Sequence, residues 1–347
     1  LGLDLLICDE ATMMDLWIMN ALLKALQAGC RVVLVGDVYQ LPSVGPGQVF
    51  ADLIKSERFP VVRLENIYRQ RKGSTIALAA QAIREKHVPD WKALRNESNE
   101  LSFVPHDDPE TLIDTVVAQT LSLIREGYDL EDIQIIIPQK KGRCGVPVAS
   151  FRLQQALGRI QWKNNNFAYR GEAVRLGTRI IPKDLEMPIP SRRDSYSSSE
   201  LKALVPRDIW AGPGDKVRQT SNNYDLHVLN GDMGIVQQVD SMTNCLSVTY
   251  PHIDNPVIYE SAFLNNLDLA FAITTHVSQG SQWKACIIVM STAHWIMLQN
   301  NLFYTAISRA QERCIVVGST KAISRAVHNV KTGHRVTLLA NRIKAKD

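Results

Sequence analysis

Residues 3–12, LDLLICDEAT, and residues 31–47, RVVLVGDVYQLPSVGPG, decide the fold class. Each begins as a short apolar run and ends in acids or a Gly-Asp step. Such runs read as parallel strands buried on both faces. Between them, residues from about Leu16 to Gln27 have helical spacing, and Gly29 supplies the stop. Strand, helix and strand in that order predict an α/β layer with a parallel sheet. In open sheets of this kind ligands bind at the carboxyl ends of the strands, which is where Asp9, Glu10 and Asp37 fall. Paired acids there suit a nucleotide–Mg²⁺ site, one carboxylate holding the ion and the other orienting the attacking water. The pair also reads as a solvated strand end whose charge favours the start of a helix. Gln40 can sense a γ-phosphate or order water. LPSVGPG (41–47) makes a stiff loop, because proline fixes φ and glycine permits close backbone approach.

Working outward, 347 residues suffice for two or three domains. Hydrophobic residues make up 45% and charged residues 21%, with a net charge of +4, so a globular enzyme with a nucleic-acid partner is compatible but not required. The cysteines (Cys8, Cys30, Cys144, Cys245, Cys286, Cys314) show no C-x-x-C spacing. They read as reduced thiols in a cytosolic protein, with no zinc site. No run approaches the roughly 18 apolar residues of a membrane span, and no membrane partner is expected. The chain opens with Leu1, directly before a buried-type strand, which reads as a boundary within a longer protein.

PVVRLENIYRQ (60–70) reads as a third strand, followed by a helix to about Glu85 and a proline-marked linker. The α/β rhythm then restarts with a helix over about 109–126, the strand IQIIIPQ and a helix over about 150–157. Residues 161–210 hold Asn164-Asn165-Asn166, several prolines and SRRDSYSSSE, and are expected to be an irregular, partly mobile insertion. Short alternating segments from Pro213 to about Glu260 predict a small barrel. LDLAFAITTH (267–276), CIIVM (286–290) and CIVVG (314–318) return to buried strands, with a helix over about 301–311.

DEAT (9–12), GDVYQLPSVGPG (36–47), IYRQ (67–70), TTHVSQGSQ (274–282) and LFYTAISRAQE (302–312) occur in one order along the chain. Together they resemble motifs II to VI of superfamily 1 DNA helicases in the RecD-like branch, the family of the exodeoxyribonuclease V alpha-subunit. GDKVRQTSNNYDLHVLNGDMGIV (214–236) resembles the start of the SH3-like module inserted in these enzymes. The resemblance implies two RecA-like P-loop NTPase domains, the first incomplete. Residues 1–90 would carry motifs II to IV, and 100–160 with 262–330 motifs V and VI. Residues 161–210 would be the insertion and 211–261 the SH3-like β module.

The resemblance also implies ATP and Mg²⁺ as cofactors. Asp9 would bind Mg²⁺, and Glu10 would act on the hydrolytic water. Gln40 would contact the γ-phosphate, and Arg69 and Arg309 would reach the nucleotide as arginine fingers, a task that suits an always-charged bidentate guanidinium. Asp37, Gly280 and Gln282 would complete the nucleotide set. Gln282 stands where the family often has Glu, and Val277 where it often has Lys. Ser43, Thr275, His276 and Ser278 would face DNA phosphates. Lys216, Arg218, Asn222, Asn223 and Tyr224 would cradle a single strand, with Tyr224 able to stack on a base.

The implied activity is 5′→3′ translocation on single-stranded DNA driven by ATP hydrolysis, with duplex junctions as substrates and a role in recombination or repair. Subunits of a recombination nuclease complex are implied partners. The loop G-x-x-x-x-G-K-[ST], which would wrap the β- and γ-phosphates, does not occur in the chain; no two glycines are even five positions apart. By itself the chain is therefore expected not to turn over ATP. The competing reading is a catalytically inert DNA-binding or scaffold module.

Overall fold

The computed structural model describes residues 1–64, 73–163, 166–178, 208–330, 335 and 337–345. Strands β1 (Leu5–Cys8) and β2 (Arg31–Leu34) pair in parallel, Leu5 opposite Arg31 and Cys8 opposite Leu34. The helix Leu16–Ala25 connects them. Its N-cap is Asp15, whose Oδ1 accepts the Ile18 amide at 2.8 Å. Leu5 and Ile7 remain 50% and 63% exposed, so these strands are not buried on both faces as their composition predicts. The expected strand over 60–70 is not seen at 61–64, which carry no regular structure and are exposed; 65–72 lie outside the described residues.

The second unit is built on β3 (Leu101–Pro105), β4 (Ile133–Ile137), β14 (Ala272–Thr274), β15 (Trp283–Met290) and β16 (Ala310–Gly318). They form an all-parallel sheet in the order β14-β4-β15-β16-β3. Period-2 alternation divides its side chains between two cores. Ile133, Ile135, Ile137, Ala285, Ile287, Val289, Ile315 and Val317 share a core with the helices Leu112–Arg125 and Val146–Ala156. Ile136, Cys286, Ile288, Met290, Cys314 and Val316 pack on the other face with Thr75–Arg84, Asn300–Ile307 and Thr320–His328. Here the continuous apolar runs are buried on both faces, as a covered parallel sheet demands.

Two elements stand where only a linker was expected. One is the helix Trp91–Glu97, capped by Asp90 Oδ1 accepting the Lys92 and Ala93 amides. The other is β3 itself, at the sheet edge. The region expected to be irregular holds two antiparallel strand pairs. β5 (Ile160–Lys163) pairs with β6 (Asn166–Tyr169), and β7 (Val174–Thr178) with β8 (Asp208–Ala211); residues 179–207 are outside the description.

β9 (Lys216–Gln219), β10 (Met233–Asp240), β11 (Cys245–Thr249), β12 (Val257–Tyr259) and β13 (Leu267–Leu269) make an antiparallel sheet in the order β12-β11-β10-β9-β13. The run 267–276 is thus two strands in two sheets, β13 on β9 and β14 on β4. Buried Gln134 fixes the switch. Its Nε2 donates to the carbonyls of Ala270 at 3.0 Å and Phe271 at 3.2 Å.

Candidate functional site

The first half of the site is held together by backbone. The Val35 amide donates to Cys8 O and the Ala11 amide to Val35 O, each at 2.8 Å, so the segments after β1 and β2 run side by side. A Cβ on Gly36 would lie 3.2 Å from the Thr12 amide nitrogen and 3.2 Å from the Phe50 ring, so a bare Cα suits that close approach. Asp9 is exposed and accepts the Glu10 amide at 2.7 Å. Glu10 adopts left-handed backbone, φ 51° and ψ 37°. A non-glycine residue there is uncommon, and the conformation is a strained one that recurs at functional sites.

Asp37 sits one step further on. Its Oδ1 accepts the Tyr39 amide at 3.0 Å, and its Oδ2 accepts the Tyr304 hydroxyl at 2.8 Å. Burial, together with the Asp37 carboxylate, raises the Tyr304 phenol well above its ordinary value. Arg84 stacks 5.1 Å over the Tyr39 ring.

The second unit closes on this loop through the 302–312 motif. Arg309 is 1% exposed. Its Nε donates to Thr305 O at 3.0 Å and its Nη1 to Ser281 O at 3.2 Å. Nη2 reaches Gln40 Oε1 and Ser308 Oγ, both at 3.1 Å. A buried guanidinium needs its donors satisfied, and here the partners come from three motif segments. Beside it the Leu41 amide donates to Thr305 Oγ1 at 2.9 Å, and Gln279 Nε2 donates to Leu41 O at 3.0 Å. A cleft of about 260 Å³ next to this junction is lined by Thr12, Tyr39, Gln40, Gln48, Asn300 and Asn301, among others. Gln40, Arg309, Asp37 and the 274–282 turn therefore meet across two units. Gly280 (φ 75°) is exposed on that turn, and Gln282 accepts Gln311 Nε2 at 3.1 Å. Arg69 lies outside the described residues.

The expected DNA-facing residues divide. Lys216 is a correction: it is 3% exposed, and its Nζ donates to the carbonyls of Glu131 and Ile133, both at 3.0 Å. Burial pushes its ammonium down to about 8. It ties β9 to the start of β4 and presents nothing to a strand. Thr275 and Ser278 are also fully buried, and Ser278 Oγ donates to Thr275 O at 2.8 Å, so neither hydroxyl is offered to a phosphate. Ser43 is buried under Arg335.

His276 is partly open, and burial lowers its imidazole below the ordinary value. Arg218 is partly exposed. Asn222 Oδ1 accepts the Asn230 amide at 2.9 Å, and Asn223 pairs with Val228. That loop presents Tyr224, which is 74% exposed.

Sequence reasoning did not single out Tyr304, Thr305, Gln279 or Arg335. The first three lie inside the quoted motifs, where polar residues beside a buried arginine were the available signal. Arg335 lies beyond every motif and had none.

Comparison with known proteins follows the same division. The AAA domain model matches residues 2–103, and the UvrD-like helicase C-terminal domain model matches residues 269–317. The ATP-dependent RecD2 DNA helicase of Deinococcus radiodurans is 30% identical over 99% of the chain and 40% of its own length. The RecBCD enzyme subunit RecD of Mycobacterium tuberculosis is 26% identical over 93% of the chain and 51% of its own length. The chain thus spans about half or less of these relatives.

Among solved structures, the Pif1 helicase of Candida albicans superposes with a TM-score of 0.54 at 18% identity, over 95% of this chain and 74% of that one. Bacteroides Pif1 bound to single-stranded DNA gives 0.52 at 18%, over 90% and 70%. At that identity the likeness concerns the fold, a mixed α/β architecture with a parallel sheet. The chain is a homologue, along nearly its whole length, of the RecD and RecD2 helicases, the branch of superfamily 1 that its motifs resemble.

Proposed function

We propose that the chain is the motor core of an ATP-dependent DNA helicase that moves 5′→3′ on single-stranded DNA and acts in recombination or repair. The observation that carries the reading is the Gln40–Arg309 hydrogen bond, 3.1 Å across two units. It joins the loop behind the paired acids to the motif that ends the second unit. A bond of this kind can report the state of one unit to the other, which a translocating ATPase requires. Two RecA-like domains, 1–90 and 100–160 with 262–330, form the motor. Residues 211–261 are the SH3-like module and 161–210 an insertion on it. Single-stranded DNA and duplex junctions are the substrates, and subunits of a recombination nuclease complex are partners.

The donor set fits Mg²⁺ and ATP. Mg²⁺ is held by one or two carboxylates together with phosphate oxygens, and Asp9 is one exposed carboxylate at a strand end. When bound, the ion supplies charge neutralisation for the phosphates. Glu10, turned by its left-handed backbone, orients and polarises the attacking water as general base. Gln40 positions the water or γ-phosphate edge. Arg309, and Arg69 with it, places fixed positive charge where negative charge develops. Asp37 holds Tyr304 and so keeps the loop in register; Gly280 and Gln282 border the nucleotide. On the DNA side Arg218, His276, Asn222, Asn223 and Tyr224 remain as contacts.

In the intact protein, Glu10→Gln keeps the side-chain volume and removes the base. Hydrolysis is expected to vanish while ATP binding, followed with a fluorescent analogue, persists. Near-normal turnover would assign that role to another group.

A further inference from the structure

Lys216 opens β9 in the antiparallel sheet, yet its side chain ends at the parallel one. Its Nζ donates to Glu131 O and Ile133 O, both at 3.0 Å, where β4 begins. An ammonium carries three donors. Two go to these carbonyls, and the nitrogen also lies over the Trp283 ring, 5.8 Å from its centre. A ring face attracts a cation within about 6 Å. The Lys216 carbonyl is fixed as well, accepting the Ala270 amide at 2.8 Å. A buried charge adds little net stability even when fully partnered. What it fixes is a position.

Trp283 carries that position onward. It is 8% exposed and begins β15. Its amide donates to Arg309 O at 3.1 Å, and the Arg309 amide donates to Ala306 O at 3.2 Å. The backbone of Arg309 is therefore held from both sides. Directly after it the register slips: Trp283 stands opposite Ala310, but Ala285 stands opposite Arg313. An extra residue on one strand interrupts the ladder and re-aims the side chain beside it. The seat of such a residue then depends on what packs against it. Met233, the first residue of β10, packs on the same core as Trp283 and Ala310, a second contact from the antiparallel sheet. Burial lifts the Cys286 thiol well above its ordinary value, and Lys216 and Arg309 both act on it in the opposite sense. One small region of core thus lies between the two cations.

Resting on the helicase reading above, we propose that Lys216 is a positioning residue for Arg309, acting through the Trp283 ring. The route runs from Lys216 Nζ to the ring, from the Trp283 amide to Arg309 O, and from Arg309 Nη2 to Gln40 Oε1. The antiparallel sheet is then part of the support of the nucleotide site. Loss of Lys216 removes no partner of the Arg309 guanidinium but lets its backbone shift. The effect falls on the rate of the chemical step and not on ATP affinity.

The test uses the intact protein with Lys216→Met, Trp283→Leu and the double variant, each with circular dichroism matching the parent. kcat and KM for ATP are measured at saturating oligothymidine, and hydrogen exchange is followed in the peptide 303–313. The proposal expects Lys216→Met to lower kcat at least about fivefold with KM nearly unchanged, and to speed exchange in 303–313. In the Trp283→Leu background the same substitution changes kcat less than about twofold, because effects along one route do not add. A purely structural role would lower kcat by the same factor in both backgrounds. That outcome overturns the proposal, as does a smaller fall in kcat for Lys216→Met alone. Should Lys216→Met not fold, Lys216→Gln takes its place with the same expectations. Should Trp283→Leu not fold, kcat and exchange in the Lys216 variant decide, and unchanged exchange overturns the proposal. If the wild-type protein hydrolyses no ATP, the helicase reading fails; unchanged exchange in 303–313 then refutes the positioning of Arg309, and faster exchange upholds it.

Discussion

At the scale of single residues, the site depends on polar groups that satisfy one another across a junction. Arg309 illustrates the gain and the exposure to loss. Its guanidinium bonds Thr305 O, Ser281 O, Gln40 Oε1 and Ser308 Oγ. Truncation would strand buried acceptors, at a cost of roughly 1–3 kcal/mol for each group left unsatisfied. It would also remove the charge proposed to face the phosphates. Arg309→Ala in the intact protein is therefore expected to cut ATP turnover by at least ~10³-fold, as loss of an arginine finger does, with ATP affinity falling less. Turnover within a few fold of wild type, in a variant whose circular dichroism matches the parent, would refute the assignment. Asp9, Glu10, Gln40 and Arg309 were singled out from acids at a strand end and polar residues in the quoted motifs, and the structure brings Gln40 and Arg309 together. Lys216 was misread for a physical reason: a lysine on a short alternating strand looks solvated, and only the third dimension places it against Glu131 O and Ile133 O. Thr275 and Ser278 were misread in the same way, because a turn rich in small hydroxyls gives no sign of which side is buried.

At the scale of elements, apolar runs identified β4, β15 and β16, since a strand covered on both faces has no polar positions to disguise it. β3 escaped notice because its alternating, proline-ended sequence sits at a sheet edge. The split of 267–276 into β13 and β14 escaped for a different reason: the run is apolar throughout, and nothing local marks the point where it leaves one sheet for another. That point is set by a distant side chain, Gln134, which is fully buried and donates to Ala270 O and Phe271 O. Gln134→Leu preserves volume but removes the donor. The expected loss is about 1–3 kcal/mol of stability, read from the midpoint of urea unfolding. A midpoint equal to wild type would mean that these carbonyls find another donor and that the switch is fixed elsewhere.

At the scale of the whole molecule, two units meet at Gln40–Arg309, Leu41–Thr305 and Asp37–Tyr304; the order of the motifs pointed to two units, but none of these three contacts was legible in the sequence. The return of Thr337 to Asp52 was not readable, because no periodicity announces a tertiary strap. The groups still proposed to face DNA, Arg218, His276 and the Asn222–Tyr224 loop, are few. Single-strand affinity is accordingly expected to be micromolar or weaker without nucleotide, and to fall with salt by roughly 0.7 log units per log unit for each neutralised phosphate. Fluorescence anisotropy of an oligothymidine across a salt series reads this directly, and a flat response would exclude phosphate contacts of this kind. The central claim is that the paired acids and Arg309 drive movement along one strand. It is tested most directly by unwinding of a forked duplex by the intact protein, with Glu10→Gln as the control. The account predicts ATP-dependent strand separation that requires a 5′ single-stranded tail and is absent in the variant. Separation that needs a 3′ tail, or that proceeds equally well in Glu10→Gln, would contradict it.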